Sequence, residues 1–236
     1  MVYVVFVEGN IASGKSTLIP LLASLNGSDR FGKVQVILEP LDKWQTLRDS
    51  DGKNILHHFY KDMKRFAYSF QSFAFLSRAR LLSGIDSEAD FVFVERSIWS
   101  DKEIFARNCY ETGIMSEIEW NLYNEWFSWM EQQYRPLNMC FIHLKTKPST
   151  AFIRMKKRKR AEEASVTLEY ITRIHQKHQA WLDNSTLGAK VIELNANMDY
   201  DDSGEILEGI ISRLSKELPD RLRVTNSTDI GYGCGC

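Results

Sequence analysis

The sequence predicts an α/β fold in which a five-stranded parallel sheet is flanked by helices on both faces. Short apolar runs, rich in β-branched and aromatic residues, recur along the chain, and longer stretches with helical spacing separate them. A glycine-containing turn also follows the first apolar run and opens the first helical stretch. Such alternation calls for crossover connections, which bury a parallel sheet between helix layers.

The expected strands cover residues 2–7, 34–38, 91–94, 139–144 and 190–194. The first reads Val2-Tyr-Val-Val-Phe-Val7 and is apolar throughout, as a strand covered on both faces must be. Helices are expected over 18–25, 57–83, 101–109, 116–133 and 167–183, several of them opened by Ser, Asp or Thr near an N-cap position. Gly84 stands where it would stop the second of these. No repeat or Gly/Ser-rich linker intervenes, so residues 1–218 are expected to form one domain. Residues 219–236 lose periodicity, and a flexible C-terminal tail is expected there.

Composition narrows the function. With 44% hydrophobic and 12% aromatic residues among 236, the chain can bury one sizeable core. A formal charge of −1 and a pI near 6.5 argue against a nucleic-acid partner and for a small-molecule substrate. Cys109, Cys140, Cys234 and Cys236 offer neither a disulfide framework nor zinc-site spacing, which suggests a reducing compartment. No secretory or mitochondrial signal is recognisable, and no apolar stretch approaches the roughly 18 residues of a membrane span. A soluble cytoplasmic protein without membrane contact is expected, with nuclear entry open.

The strongest motif is Gly9-Asn10-Ile11-Ala12-Ser13-Gly14-Lys15-Ser16, a complete G-x-x-x-x-G-K-[ST] between a strand and a helix. Its glycines let the backbone curl so that successive N–H groups face a triphosphate. Lys15 would then lie beside the transferring phosphate, with the Ser16 hydroxyl as a magnesium ligand. The fold expected is therefore that of the P-loop NTPases. Ligands of open α/β sheets bind beyond the carboxyl ends of the strands, where Glu95 and Arg96 follow the third run and Glu39-Pro40 follows the second. Glu95 could hold magnesium through water, Arg96 could bridge the attacking oxygen and the transferred group, and Glu39 could serve as general base.

Taken together, these motifs resemble the deoxyribonucleoside kinase family over roughly residues 3 to 218. The resemblance rests on Gly9 to Thr17, Glu39-Pro-Leu-Asp-Lys-Trp44, Ser69-Phe-Gln71-Ser-Phe-Ala74-Phe-Leu-Ser-Arg78, Glu95-Arg-Ser97 with Ser100-Asp101, and Arg158-Lys-Arg160-Ala-Glu-Glu163. It implies ATP-dependent phosphorylation of the 5′-hydroxyl of deoxynucleosides for nucleotide salvage, with Mg2+ accompanying ATP. Glu39 would be the base, Arg96 would hold that carboxylate and the developing charge, and Glu95 would belong to the magnesium shell. Gln71 would pair with the nucleobase; Phe70, Phe105, Trp44 and Leu56 would pack base and sugar. Tyr60 and Glu163 would bind the sugar 3′-hydroxyl, and Arg154, Arg158 and Arg160 would act in a lid over the triphosphate. Lys159 stands in that lid where relatives often have glycine. Arg78 and Asp101, helped by Ala74, would favour deoxycytidine and deoxypurines over thymidine. A homodimer through helices is also implied, and the stripe of Trp120, Trp126 and Trp129 with Leu122 and Tyr123 suits a core or subunit contact.

Two other readings share parts of this pattern. A nucleoside monophosphate kinase would have the P-loop and a lid but needs a cationic site for the acceptor phosphate, whereas Gln71 and the Tyr60–Glu163 pair suit a neutral nucleoside. A non-catalytic nucleotide-binding subunit would have less reason to combine Glu39, Arg96 and Lys15.

Overall fold

The computed structural model describes residues 2–185, 187–198 and 205–218. The expected strands are all present: β1 (Tyr3–Gly9), β2 (Val34–Ile37), β3 (Phe91–Glu95), β4 (Met139–Lys145) and β5 (Lys190–Asn195). They form one sheet in the order β2-β3-β1-β4-β5, every pairing parallel. β1 lies in the middle, so the loop that leaves its carboxyl end opens between β3 and β4, where the connections diverge to either side of the sheet.

Side-chain alternation along β1 divides the core. Val5 and Val7 face a cluster built with Leu18, Ile19 and Leu22 of α1 (Lys15–Leu22) and Leu214 of α10 (Glu205–Glu217). Val4 and Phe6 face the larger cluster, formed with Phe70, Ala74 and Phe75 of α4 (Met63–Leu82) and Tyr123 and Phe127 of α7 (Glu117–Tyr134). A third cluster joins Ala151 and Met155 of α8 (Pro148–Arg158) to Ile171 and Ile174 of α9 (Leu168–Asp183), with Ile11 of the glycine-containing loop among them. That loop is thereby packed against α9 rather than left to solvent.

The helices depart from expectation in instructive places. The stretch 57–83 is two helices, α3 (Ile55–Lys61) and α4, broken at Asp62. Asp62 takes φ −142° and ψ 78° and accepts the Arg65 N–H, so it ends one helix and caps the next. α4 ends at Leu82 with Ser83 as its C-cap, so the stop falls just before Gly84, which has no positive φ. The stretch 101–109 starts earlier, as α5 (Ile98–Ser100), continues as a π-helix over Asp101–Ala106 and ends as α6 (Arg107–Glu111). Three helices lie outside the expected helical stretches: α2 (Leu41–Thr46), α8 and α10. Among the described residues no helix is long and apolar enough to cross a membrane. The expected tail at 219–236 lies outside the described residues.

Candidate active site

The loop between β1 and α1 is shaped by its backbone. Gly9 has φ 151°, and a Cβ there would lie 2.7 Å from Ser13 Oγ and 3.0 Å from the Leu144 carbonyl. Gly14, at φ 100°, is the N-cap of α1, and Ala12 adopts φ 57° between them. Asn10 turns inward and donates from Nδ2 to the Ile171 carbonyl at 2.9 Å, tying the loop to α9. Lys15 folds back so that Nζ donates to the Gly9 and Asn10 carbonyls at 3.1 and 2.8 Å. Burial, joined by the Arg96 charge, draws its ammonium down to about 7, against the pull of Glu95, Glu39 and Glu8.

Strand ends deliver the remaining charges. The Ser16 hydroxyl donates to Glu95 Oε1 at 2.7 Å, so the start of α1 meets the end of β3. These hard oxygen donors fit Mg2+, which Ser16 and Glu95 would hold and which would neutralise phosphate charge when bound. Arg96 follows with a left-handed φ of 63° and donates its N–H to the Val7 carbonyl at 3.0 Å. A non-glycine residue held there is a local strain of the sort that collects at functional sites. The turn aims its guanidinium across the Phe105 ring, 4.8 Å from the centroid, with Nε 3.4 Å from Glu39 Oε1.

Arg78, fully buried on α4, is the hub. Its Nε and Nη2 donate to the two Asp101 oxygens at 2.7 and 3.2 Å, Nη2 reaches Glu39 Oε1 at 3.0 Å, and Nη1 donates to the Glu95 carbonyl at 3.0 Å. Asp101 is the first residue of the π-helical stretch, and such a stretch re-aims side chains relative to a regular helix. Burial alone would raise the Glu39 carboxyl, but Arg78, Arg96 and Lys15 overcome it and hold the group down at about 2. Glu39 is thus ionised and oriented by two guanidinium groups.

Of the residues assigned from the sequence to catalysis, ATP, magnesium or the acceptor, all but Gly9 and Asn10 line one cavity of about 500 Å³. Its lining joins the loop, Lys15 and Ser16 to Trp44, Leu56, Tyr60, Phe70, Gln71 and Ala74. Trp44 meets Phe70 edge-on at 5.5 Å and donates from Nε1 to Ser77 Oγ at 2.9 Å, which locks its rotamer. Gln71 is buried, its Nε2 4.0 Å from Cys109 Sγ. Arg158, Arg160 and Glu163 close the rim: Arg158 bonds both Glu163 oxygens, Nε to Oε2 at 3.0 Å, and Arg160 Nη1 lies 3.7 Å from Oε1. Arg154 also lines the cavity while donating to the Ala196 and Met198 carbonyls at 2.6 and 2.8 Å. Burial, followed by the nearby Glu163 charge, raises the Tyr60 phenol.

The cavity includes residues to which no motif in the sequence assigns a role. Leu41 and Gln45 share the face of α2 with Trp44, so recognising that helix would have found them. Phe59 packs on Phe70 with ring centroids 4.7 Å apart and planes tilted by 30°, and Lys157 belongs to the basic run already noted. Glu8, the last side chain of the β1 alternation before the loop, is fully buried outside the cavity lining; burial raises its carboxyl and Arg96 opposes the shift. It reads in the sequence as one more strand-end carboxylate.

Comparison with known proteins accords with this geometry. Residues 5–218 match the family model described as deoxynucleoside kinase. The chain is 36% identical to a probable deoxycytidine kinase of Fowlpox virus (strain NVSL), over 88% of this chain and 85% of that protein. It is 34% identical to deoxycytidine kinase of Homo sapiens, over 85% and 86%. Mitochondrial deoxyguanosine kinase of Xenopus laevis is 33% identical, over 84% and 82%. A P-loop, an ionised carboxylate clasped by two arginines and a nucleoside-sized cavity thus occur in a chain that belongs to the deoxynucleoside kinase family, enzymes that phosphorylate nucleosides for salvage.

Proposed function

We propose that the chain transfers the γ-phosphoryl group of ATP to the 5′-hydroxyl of deoxynucleosides, with Glu39 as base and with deoxycytidine and the deoxypurines preferred over thymidine. The observation that carries this reading is the Glu39 carboxylate, held by Arg78 and Arg96 in the cavity that also contains Lys15 and Ser16. The acceptor oxygen bonds to the γ-phosphorus, the bond from phosphorus to the β,γ-bridging oxygen breaks, and the hydroxyl proton passes to Glu39. A carboxylate held near 2 is a weak base, but phosphoryl transfer asks for orientation more than basicity. Arg96 and Lys15 face the charge that develops on the transferred group.

The acceptor end supports a neutral nucleoside. Gln71 offers an amide that can donate and accept toward a base, and Tyr60 with Glu163 offers a polar pair for a sugar hydroxyl. The wall beyond Ala74 is the Arg78–Asp101 ion pair, whose bulk and fixed charge suit cytosine or a purine better than the methyl group of thymine. A homodimer belongs to the same proposal, because α7 leaves Trp126 and Trp129 each 57% exposed. Cys109 and Cys140 are buried free thiols, which suits a reducing compartment such as the cytoplasm.

The test is steady-state turnover of deoxycytidine, deoxyadenosine, deoxyguanosine, thymidine and deoxycytidine monophosphate with magnesium ATP, the Glu39→Gln variant run beside the parent. Expected are turnover of the first three above thymidine and a drop in kcat of about 10²–10⁴-fold in the variant, with ATP still bound. Thymidine as the best acceptor would overturn the specificity, turnover of the monophosphate alone would overturn the acceptor, and an unimpaired variant would remove Glu39 as base.

A further inference from the structure

The two residues offered to the sugar hydroxyl come from distant parts of the chain, Tyr60 from α3 and Glu163 from the short turn Ala161–Glu163 after the basic segment. Something must hold these parts in register. Asn54 stands between them, 7% exposed, with both ends of its amide engaged. Its Oδ1 accepts the His57 N–H at 2.8 Å and so caps α3, the helix that carries Tyr60. Its Nδ2 donates to Glu162 Oε1 at 3.1 Å, across 108 residues of sequence. Glu162 is the immediate neighbour of Glu163 in a three-residue turn, so anchoring one places the other.

We propose that Asn54 is a positioning residue that latches the turn bearing Glu163 to the helix bearing Tyr60, and so sets the geometry with which the enzyme grips the acceptor 3′-hydroxyl. The inference rests on the reading of Tyr60 and Glu163 as the sugar pair. Capping alone does not call for an amide, since Asp and Ser cap as well as Asn. What the amide adds is a donor, and the bond it makes to a carboxylate belongs to the stronger, charge-assisted class. The latch also bears on the lid. Arg158 and Arg160 grip Glu163, so the turn that Asn54 anchors is the one on which the lid arginines rest.

The cap and the latch separate in the Asn54→Asp variant, which keeps the acceptor for His57 N–H but replaces the donor with a carboxylate facing Glu162. Pairing it with Glu162→Gln restores a hydrogen bond with its polarity reversed. Values of kcat/KM are measured on 2′-deoxycytidine and 2′,3′-dideoxycytidine with magnesium ATP, for the parent, Asn54→Asp, the double variant and Glu163→Gln. Asn54→Asp should lose roughly tenfold on deoxycytidine, mostly through KM, and about twofold or less on the dideoxynucleoside. The double variant should recover most of the loss, because the two changes couple through one bond. Equal losses on both acceptors, or no recovery in the double variant, would overturn the latch. If Glu163→Gln discriminates against the 3′-hydroxyl while Asn54→Asp matches the parent, the latch fails and the sugar pair stands. If Glu163→Gln shows no dependence on the 3′-hydroxyl, the sugar pair fails and takes the latch with it.

Discussion

Lys15 has its ammonium on the carbonyl oxygens of its own loop, in a site where burial and Arg96 draw its pKa to about 7. A bound triphosphate brings negative charge to the same place and raises that pKa again. At pH 8 the free protein therefore holds Lys15 largely neutral and the complex holds it charged, so binding takes up a proton; at pH 6 Lys15 is already charged and uptake vanishes. Calorimetric titration with magnesium ATP, in two buffers of different ionisation enthalpy, should read close to one proton at pH 8 and close to none at pH 6. Equal uptake at both values would mean that the loop carbonyls already keep Lys15 protonated. The same residue shows what the sequence discloses. Gly9, Gly14, Lys15 and Ser16 were legible because their role depends on local backbone shape, which a motif encodes. Arg78 was legible with Asp101 as a position bearing on substrate preference, but not as the group that also holds Glu39 and the Glu95 carbonyl. Those bonds span three elements, and spacing along the chain carries no information about them.

Among elements, the strands were readable because a parallel strand buried on both faces is apolar without interruption, as Val92, Phe93 and Val94 show. The helix breaks were not. Asp62 falls in a stretch whose polar and apolar residues keep a helical period across it, and a period does not register a single residue that leaves the helix and caps the next. The π-helical stretch at Asp101 is hidden for the same reason. The sequence marks α8 by its charge, as a lid run or a solvated helix face, but does not give its bounds. It ends at Lys159, which takes φ 53° and ψ 39° as the left-handed residue closing the helix. That conformation is one a glycine would adopt without strain, and a side chain there costs on the order of 1 kcal/mol. Lys159→Gly should therefore raise stability by about 0.5–1 kcal/mol, part of the relief being offset by the greater freedom of glycine in the unfolded chain. Lys159→Val, branched at Cβ, should lower it. Urea midpoints at constant m-value read both changes, and a destabilised glycine variant would mean that the Lys159 side chain contributes more than its backbone costs.

On the scale of the whole molecule, the site and the exposed aromatic face lie on separate surfaces. The cavity is lined by loops at the carboxyl ends of the strands and by α2, α3, α4 and the lid. α7 packs Tyr123 and Phe127 into the core through α4 and turns Ile118, Leu122, Trp126 and Trp129 outward. Trp126 and Trp129 meet edge-to-face at 6.5 Å, a rigid pair that a second copy of the helix can cover. Aromatic residues at the centre of an interface carry a large share of association energy, about 2 kcal/mol or more each, so a carboxylate in place of either should be poorly tolerated there. The parent is expected to sediment as a dimer and the variant with both Trp126→Glu and Trp129→Glu as a monomer, and a monomeric parent would overturn the proposed homodimer. The variant's kcat per chain should stay within about twofold of the parent, since every residue named for chemistry belongs to one chain and the changes sit on a helix that lines no part of the cavity. A variant that keeps the dimer mass would move the interface to another face. A monomer that has lost kcat, with an unchanged melting temperature, would mean that assembly orders the site, and that α4, which packs on α7 and carries Gln71 and Arg78, transmits the contact.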